Sequence, residues 1–475
     1  MTERNYTTVN PCVMCQPMGS VMAFKGIESS MVLMHGSQGC STYMRLHLSH
    51  HFREPVDIAS TSLSERGAVY GGSENLKKGL RNVMLRYHPK VIGVTTTCLA
   101  ETIGDDVGRI LTEFREEDKN ADGVHIISVS TPSYEDDHTT GFIKAVDAIV
   151  RHFTEYGMGN DIFNNKLNVV LGENIAPEDT RELKRMLEAT IGPRSFIFMP
   201  DTSETFDAPM TGKVEKIFPG GTPLSEIAYM KNCAASIGLG ITSDNRAVDH
   251  LETKYKVPAK RVPMPIGLEY SDRIMSVLSE IAGCEIPETY RKERGRLIDA
   301  MVDVHKYLYG TRVAIYGDPE MVLGMLSLSL ENGMYPVLVA PSCKTPAFRK
   351  HAQERIDAMN LDCDVKIFEG LDFDAFNDVV REAEPEILIG NSNGKYISQQ
   401  TGVPLIRVGF PIHDRVGAQR ILMMGYRGAM NMLDRITNTI LETKDIELEK
   451  KWLQNKNTDL QESCCGLKSA HMQPH

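Results

Sequence analysis

The sequence predicts an α/β protein built from Rossmann-like units with parallel sheets flanked by helices, on three observations. Short β-branched runs alternate with longer amphipathic stretches through nearly the whole chain, the pattern of parallel strands joined by crossover helices. Most of the runs end in Gly, Pro, Ser, Thr or Asp, the turn residues of a carboxyl sheet edge. At 475 residues the chain exceeds the roughly 250–300 residues at which a single core stops growing.

Taken in order, strands are expected at 91–97, 124–130, 167–172, 195–200, 313–317, 336–340, 365–369, 386–390 and 405–409. The polar segment Tyr156-Gly157-Met158-Gly159-Asn160-Asp161 precedes one new strand and Leu308-Tyr309-Gly310-Thr311-Arg312 another. The chain is therefore expected to divide into three domains, 1–160, 161–308 and 309–454. The run 455–475 has few apolar residues and no period, and is expected as a tail. Ligands of open α/β sheets bind at the carboxyl edges of the strands, so the residues following each run are the ones to inspect.

Composition excludes several classes. With 41% hydrophobic and 24% charged residues the chain is ordinary for a globular protein. A net charge of -11 and the lack of a Lys/Arg run argue against a nucleic-acid partner. Residues 1–5 lack a signal-peptide pattern, and no apolar run reaches the ~18 residues of a membrane span. A cytoplasmic protein with no membrane partner is expected, and its ten cysteines are then fillers, reactive thiols or metal ligands rather than disulfides.

Phosphate-binding loops are absent: there is no Gly-x-x-x-x-Gly-Lys-Ser/Thr, and no Gly-x-Gly-x-x-Gly opens a helix after a strand. His47 and His51 are four apart on one helical face. Leu48, Ser49 and His50 supply no Glu base between them, which favours capping, hydrogen-bonding or surface roles for this set and for His35. The cysteines of the first unit say more. Cys12-x-x-Cys15 could be a redox pair, half a zinc site, part of an iron-sulfur set or chance. Pro17 and Gly19 are expected to prevent a helix from starting after Cys15, which counts against the redox pair. Cys15, Cys40 and Cys98 lie beside Gly or Pro or at a strand end, where soft thiolates on short loops suit iron-sulfur chemistry. Three thiols are fewer than the four that normally hold a cluster. A partner chain supplies the rest, Cys12 is the fourth ligand, or the thiols are merely buried. Cys233, Cys284, Cys343 and Cys363 lack ligand spacing and read as core or surface thiols. Cys464-Cys465, with His471 and His475, could gather stray metal.

One set of motifs covers nearly the whole chain: Cys15-Gln16-Pro17, His35-Gly36-Ser37-Gln38-Gly39-Cys40, His51-Phe52-Arg53-Glu54-Pro55, Gly67-Ala68-Val69-Tyr70-Gly71-Gly72, Thr96-Thr97-Cys98 running on to Asp106, Thr131-Pro132-Ser133, and Arg407-Val408-Gly409-Phe410-Pro411. In this order they resemble the nitrogenase component 1 family, most closely its β-type subunits and their homologues in cofactor assembly. The resemblance implies the three-domain fold of that family. It also implies that Cys15, Cys40 and Cys98 are half of the ligand set of an eight-iron (8Fe-7S) P-cluster shared with an α-type subunit. Ser133 matches a serine that can ligate the oxidised cluster. Tyr43 matches a tyrosine between that cluster and the catalytic iron-sulfur cofactor of the partner chain, and Tyr70 stands where many relatives carry Phe on the face that meets the reductase.

By that resemblance the chain is the β-type subunit of an α2β2 heterotetramer, a nitrogenase or nitrogenase-like reductase such as methylthio-alkane reductase. Its electrons come from a homodimeric, ATP-dependent iron-sulfur reductase. The alternative is the β-type chain of the iron-molybdenum-cofactor assembly scaffold, some members of which hold a smaller 4Fe-4S cluster. Molybdenum-type β subunits carry a long extension before the first cluster cysteine. Cys15 lies near the start of this chain, as in vanadium-type, iron-only-type, methylthio-alkane-reductase-type and scaffold relatives, so the resemblance leaves the heterometal and the substrate open.

Overall fold

The structure is a computed structural model that describes residues 13–156, 163–212, 215–359, 364–370 and 372–469. Three parallel sheets follow one another along the chain. The first contains β1 (Ser30–His35), β2 (Ala59–Ser60), β3 (Val91–Thr96) and β4 (His125–Val129) in the order β2-β1-β3-β4. The second contains β5 (Leu167–Leu171), β6 (Phe196–Met199), β7 (Ala235–Leu239) and β8 (Ala259–Val262) in the order β6-β5-β7-β8. The third contains β9 (Arg312–Gly317), β10 (Tyr335–Pro341), β11 (Lys366–Ile367), β12 (Ile387–Gly390) and β13 (Leu405–Arg407) in the order β11-β10-β9-β12-β13. All pairings between these strands are parallel.

The two-residue period of a strand sends neighbouring side chains to opposite faces, and the cores follow that rule. Met31, Leu33, Ile92 and Val94 pack under one set of helices, whereas Val32, Met34 and Val91 join the large core that also contains inner residues of the other two sheets. In the third sheet Ala314, Leu338 and Leu388 join a second core with Phe373 and Phe376, and Val313, Ile315 and Val339 face the shared core.

Seven helices cover the first sheet: α1 (Gln16–Lys25), α2 (Gln38–Phe52), α3 (Glu65–Tyr70), α4 (Ser73–Tyr87), α5 (Cys98–Ile103), α6 (Val107–Glu117) and α7 (His138–Glu155). The expectation that no helix starts after Cys15 is wrong. Cys15 is the N-cap of α1, and Pro17 sits in the first turn, where a missing N–H costs no hydrogen bond. Gly19 serves a packing purpose instead. A Cβ there would fall 1.7 Å from His138 O, and one at Gly141 would fall 1.9 Å from Gln16 O, so α1 and α7 touch backbone to backbone. The final helix, Gly425–Ser469, packs on the Glu288–Leu308 helix and runs through the segment expected as a tail. Among the described residues no helix is long and apolar enough to cross a membrane.

Candidate metal centre

The order β2-β1-β3-β4 reverses direction between β1 and β3. At such a reversal the two connections leave to opposite sides and open a crevice at the carboxyl edge. Cys40, in the first turn of α2, follows β1, and Cys98, the first residue of α5, follows β3, so these two thiols flank the crevice. Ser133 follows β4 on the same edge. Cys15 reaches it from the far end of the α1–α7 contact, where it forms an isolated antiparallel bridge with Asp137.

Short hydrogen bonds register the four positions. Gln16 N donates to Ser133 Oγ at 3.2 Å, Ser133 N donates to Cys98 Sγ at 3.3 Å, and Gln16 Nε2 donates to Pro132 O at 3.1 Å. Ser37 Oγ lies 3.6 Å from Cys40 Sγ. Gln16 is itself held by Lys144 Nζ at 3.0 Å. Cys15 is exposed, Cys40 and Cys98 half-buried. Desolvation pushes the Cys15 thiol above its ordinary pKa, the Ser133 hydroxyl pulls it back, and Cys98 and Cys40 push it up again. Three thiols this close repel one another as anions, so holding all three as thiolates calls for positive charge among them. Among the described residues no three His, Cys, Asp or Glu converge on a single ion.

The face around the thiols is open and aromatic. Tyr43 is 67% exposed one turn along α2 from Cys40, Tyr70 is 83% exposed at the end of α3, and Tyr134, beside Ser133, is 64% exposed. Val69 and Leu46 extend the apolar surface. A rigid aromatic patch next to half-exposed thiols is the composition of a protein interface. Sequence reasoning found Tyr43 and Tyr70 but not Tyr134, although it adjoins the quoted Thr131-Pro132-Ser133.

Other expected residues lie elsewhere. His51 is buried, its Nδ1 accepts from Ile412 N at 2.8 Å, and burial lowers its pKa to about 3, a hydrogen-bonding role that ties α2 to the third unit. Cys233 is buried, Cys284 is exposed and Cys343 half-buried. Cys12, Cys363, His471 and His475 lie outside the described residues, as do the side chains of Cys464 and Cys465. His138 had no expected role. It is buried at the start of α7, 3.2 Å from Asp318 Oδ1, and the Asp318 charge, helped by Asp137, overcomes desolvation and raises its pKa to about 9.

The family model described as nitrogenase component 1 type oxidoreductase matches residues 15–441, a span that opens on Cys15. The chain belongs to that family. It is 40% identical over 457 residues to the nitrogenase molybdenum-iron protein beta chain of Methanococcus maripaludis, an alignment covering 93% of this chain and 97% of that one. It is 35% identical to the chain of the same name from Azotobacter vinelandii, over 96% of this chain and 89% of that one. The solved structure titled "Nitrogenase Cp1 at pH 6.5" superposes with a TM-score of 0.89 at 35% identity, covering 94% of this chain and 96% of that chain. As a nitrogenase component 1 β-type chain, the protein is a subunit of an oxidoreductase complex. The short segment before Cys15 does not set it apart from molybdenum-type β chains, because the M. maripaludis chain so named is matched over 97% of its length.

Proposed function

We propose that this chain is the β-type subunit of a nitrogenase or nitrogenase-like reductase. In this reading Cys15, Cys40 and Cys98 supply its half of an interfacial P-cluster in an α2β2 assembly, and the catalytic iron-sulfur cofactor belongs to the α-type chain. The observation that carries the reading is the incomplete thiol set at the crevice of the first sheet, half-exposed and ringed by exposed aromatic residues. When bound, the cluster supplies storage and relay of single electrons at a potential tuned by burial and hydrogen bonds.

The residues divide the work. Cys40 and Cys98 would hold the group from the two sides of the crevice. Cys15, exposed at the outer rim, would supply the third thiolate on the side open to a partner subunit. Ser133 touches both neighbouring segments through its hydroxyl and its N–H, and its oxygen would offer the group a hard ligand beside the soft thiolates. Tyr43 lies on the side of the relay toward the partner cofactor. Tyr70 and Val69, on α3, form the surface that receives the homodimeric ATP-dependent iron-sulfur reductase.

The test is anaerobic co-purification with the α-type subunit, followed by metal analysis and EPR with and without reductase and ATP. Cys40→Ala is expected to lower cluster iron and abolish electron transfer; full iron and full activity in this variant would sink the ligand assignment. Delivery of a cofactor precursor to another protein, with little substrate reduction, would instead identify an assembly scaffold.

A further inference from the structure

We propose that Asp105 is a positioning residue that locks the Tyr70-Gly71-Gly72 turn to the two segments carrying Cys40 and Cys98, so that a protein docking on α3 moves those segments with it. The proposal rests on the reading above, in which α3 receives the reductase. Asp105 follows α5, the six-residue helix that begins with Cys98, and its side chain is 8% exposed. Both of its carboxylate oxygens lie 3.0 Å from Gly72 N, which donates to them. Its Oδ2 also accepts from His35 Nε2 at 3.0 Å.

His35 completes the lock. It is the last residue of β1, fully buried, five residues before Cys40. A carboxylate only accepts, so His35 Nε2 carries the proton and Nδ1 accepts from Thr61 Oγ1 at 3.1 Å. Thr61 Oγ1 in turn accepts from Gly36 N at 3.0 Å. The His35 carbonyl accepts from Thr97 N, the neighbour of Cys98, at 3.0 Å. One imidazole thus joins both cysteine segments, and one carboxylate joins that imidazole to the α3 turn.

The turn has no slack. Gly71 has φ +90, and a Cβ on Gly72 would fall 2.5 Å from Asp105 Oδ2 and 2.7 Å from His35 Cε1. A displacement of the turn must therefore pass to Asp105 and His35 rather than be absorbed locally. Two donors making three contacts with the carboxylate oxygens, almost out of water, form a rigid contact rather than a solvated tether.

The experiment uses the full complex with its α-type subunit, its reductase and a trapped ATP state. Amide hydrogen exchange is read at 65–72, 36–41 and 97–103 for wild type, Asp105→Ala, Asp105→Asn and Tyr70→Ala. Docking is expected to alter exchange in all three segments of wild type. In Asp105→Ala the change should remain at 65–72 and vanish at the two cysteine segments, with single-turnover electron transfer slowed ~10-fold at unchanged iron content. Asp105→Asn keeps an acceptor for Gly72 N and should keep most of the transmission. Transmission intact in Asp105→Ala, or no change at 36–41 and 97–103 in wild type while 65–72 responds, overturns the proposal. No response at 65–72 in wild type overturns the docking reading itself. Should the Ala variant not fold, Gly72→Ala, which pushes the turn off the carboxylate, carries the same test: transmission unchanged in it overturns the proposal.

Discussion

Each of the three sheets reverses its strand order once, and the three crevices so formed end differently. The crevice of the first sheet is flanked by Cys40 and Cys98 and left open to a surface. That of the second, between β5 and β7, is plugged by Glu320 from the third unit. Glu320 accepts from Ile241 N, Thr242 N and Thr242 Oγ1 beyond β7, and its own N–H donates to Glu173 just beyond β5 at 3.0 Å. In the third, between β9 and β12, Tyr316 donates to Asn391 O at 2.6 Å and Asn391 Nδ2 donates to Phe410 O at 2.9 Å. The cavity left between His51, Glu173, Asp318 and Phe410 is about 30 Å³, room for about one water. One architecture thus yields an edge that leaves its thiols at a surface, and a joint whose backbone donors are taken up by a carboxylate from the third unit.

The largest test of that contrast is Glu320→Ala. It strands two backbone N–H groups and a hydroxyl in a site 1% exposed, and about 4 kcal/mol of stability should be lost at the unsatisfied-donor scale. A urea titration measures it, with iron content followed alongside. Stability should fall while the iron of the folded fraction stays at the wild-type level; iron lost in proportion would mean the two crevices are not independent.

His138 gives a test that depends on pH. Its pKa in the fold is about 9 against an ordinary 6.5, raised by Asp318 despite burial. The folded state therefore binds the proton more tightly. The stabilisation is fully present below about pH 6.5 and is lost as pH rises through 9, up to ~3 kcal/mol in all. Because Asp318 opens the helix of the third unit, this contact fastens the sealed region to the α7 end of the open one. His138→Gln should flatten the decline in urea midpoint between those two pH values. An equal decline in wild type and variant would place the pH dependence elsewhere.

How much of this was legible in the sequence follows from burial and distance. Every strand expected from a β-branched run is present within a residue or two, save that 365–369 shortens to Lys366–Ile367 and 405–409 to Leu405–Arg407. β1 was missed, because Ser-Met-Val-Leu-Met-His is buried on both faces, shows no alternation and contains two methionines that favour helix as much as strand. β7 was missed because Ala-Ser-Ile-Gly-Leu is poor in β-formers and takes its place only by pairing between β5 and β8. The cysteines were legible as residue types and as motifs. Their gathering at one crevice was not, since it depends on the backbone contact of α1 with α7 and on Gln16 meeting Ser133 across 117 positions. Asp105 stood inside the motif from Thr96 to Asp106 without any sign of its partner, and His138 carried no signal; the partners are separated by 70 and by 180 residues of chain respectively, His35 from Asp105 and His138 from Asp318.

The smallest effect is the sharpest control on the comparison. Cys343 stands two residues past β10, on the carboxyl edge of the third sheet, a position like those of Cys40 and Cys98 on the first. There the likeness ends. Its nearest polar contact is Thr139 Oγ1 at 3.8 Å, and burial, reinforced by Asp137 and other acids, holds its thiol far above the ordinary range. A thiol kept protonated in an acidic, buried setting is a poor ligand and a slow nucleophile. Cys343→Ser should change stability by less than ~1 kcal/mol and leave iron content unaltered. Iodoacetamide on the metal-free protein should reach the exposed Cys15 well before Cys343. Loss of iron from Cys343→Ser on the scale expected of Cys40→Ala would show that a thiol at a sheet edge binds metal by position alone, and the grouping of Cys15, Cys40 and Cys98 would no longer explain why the first edge is the functional one.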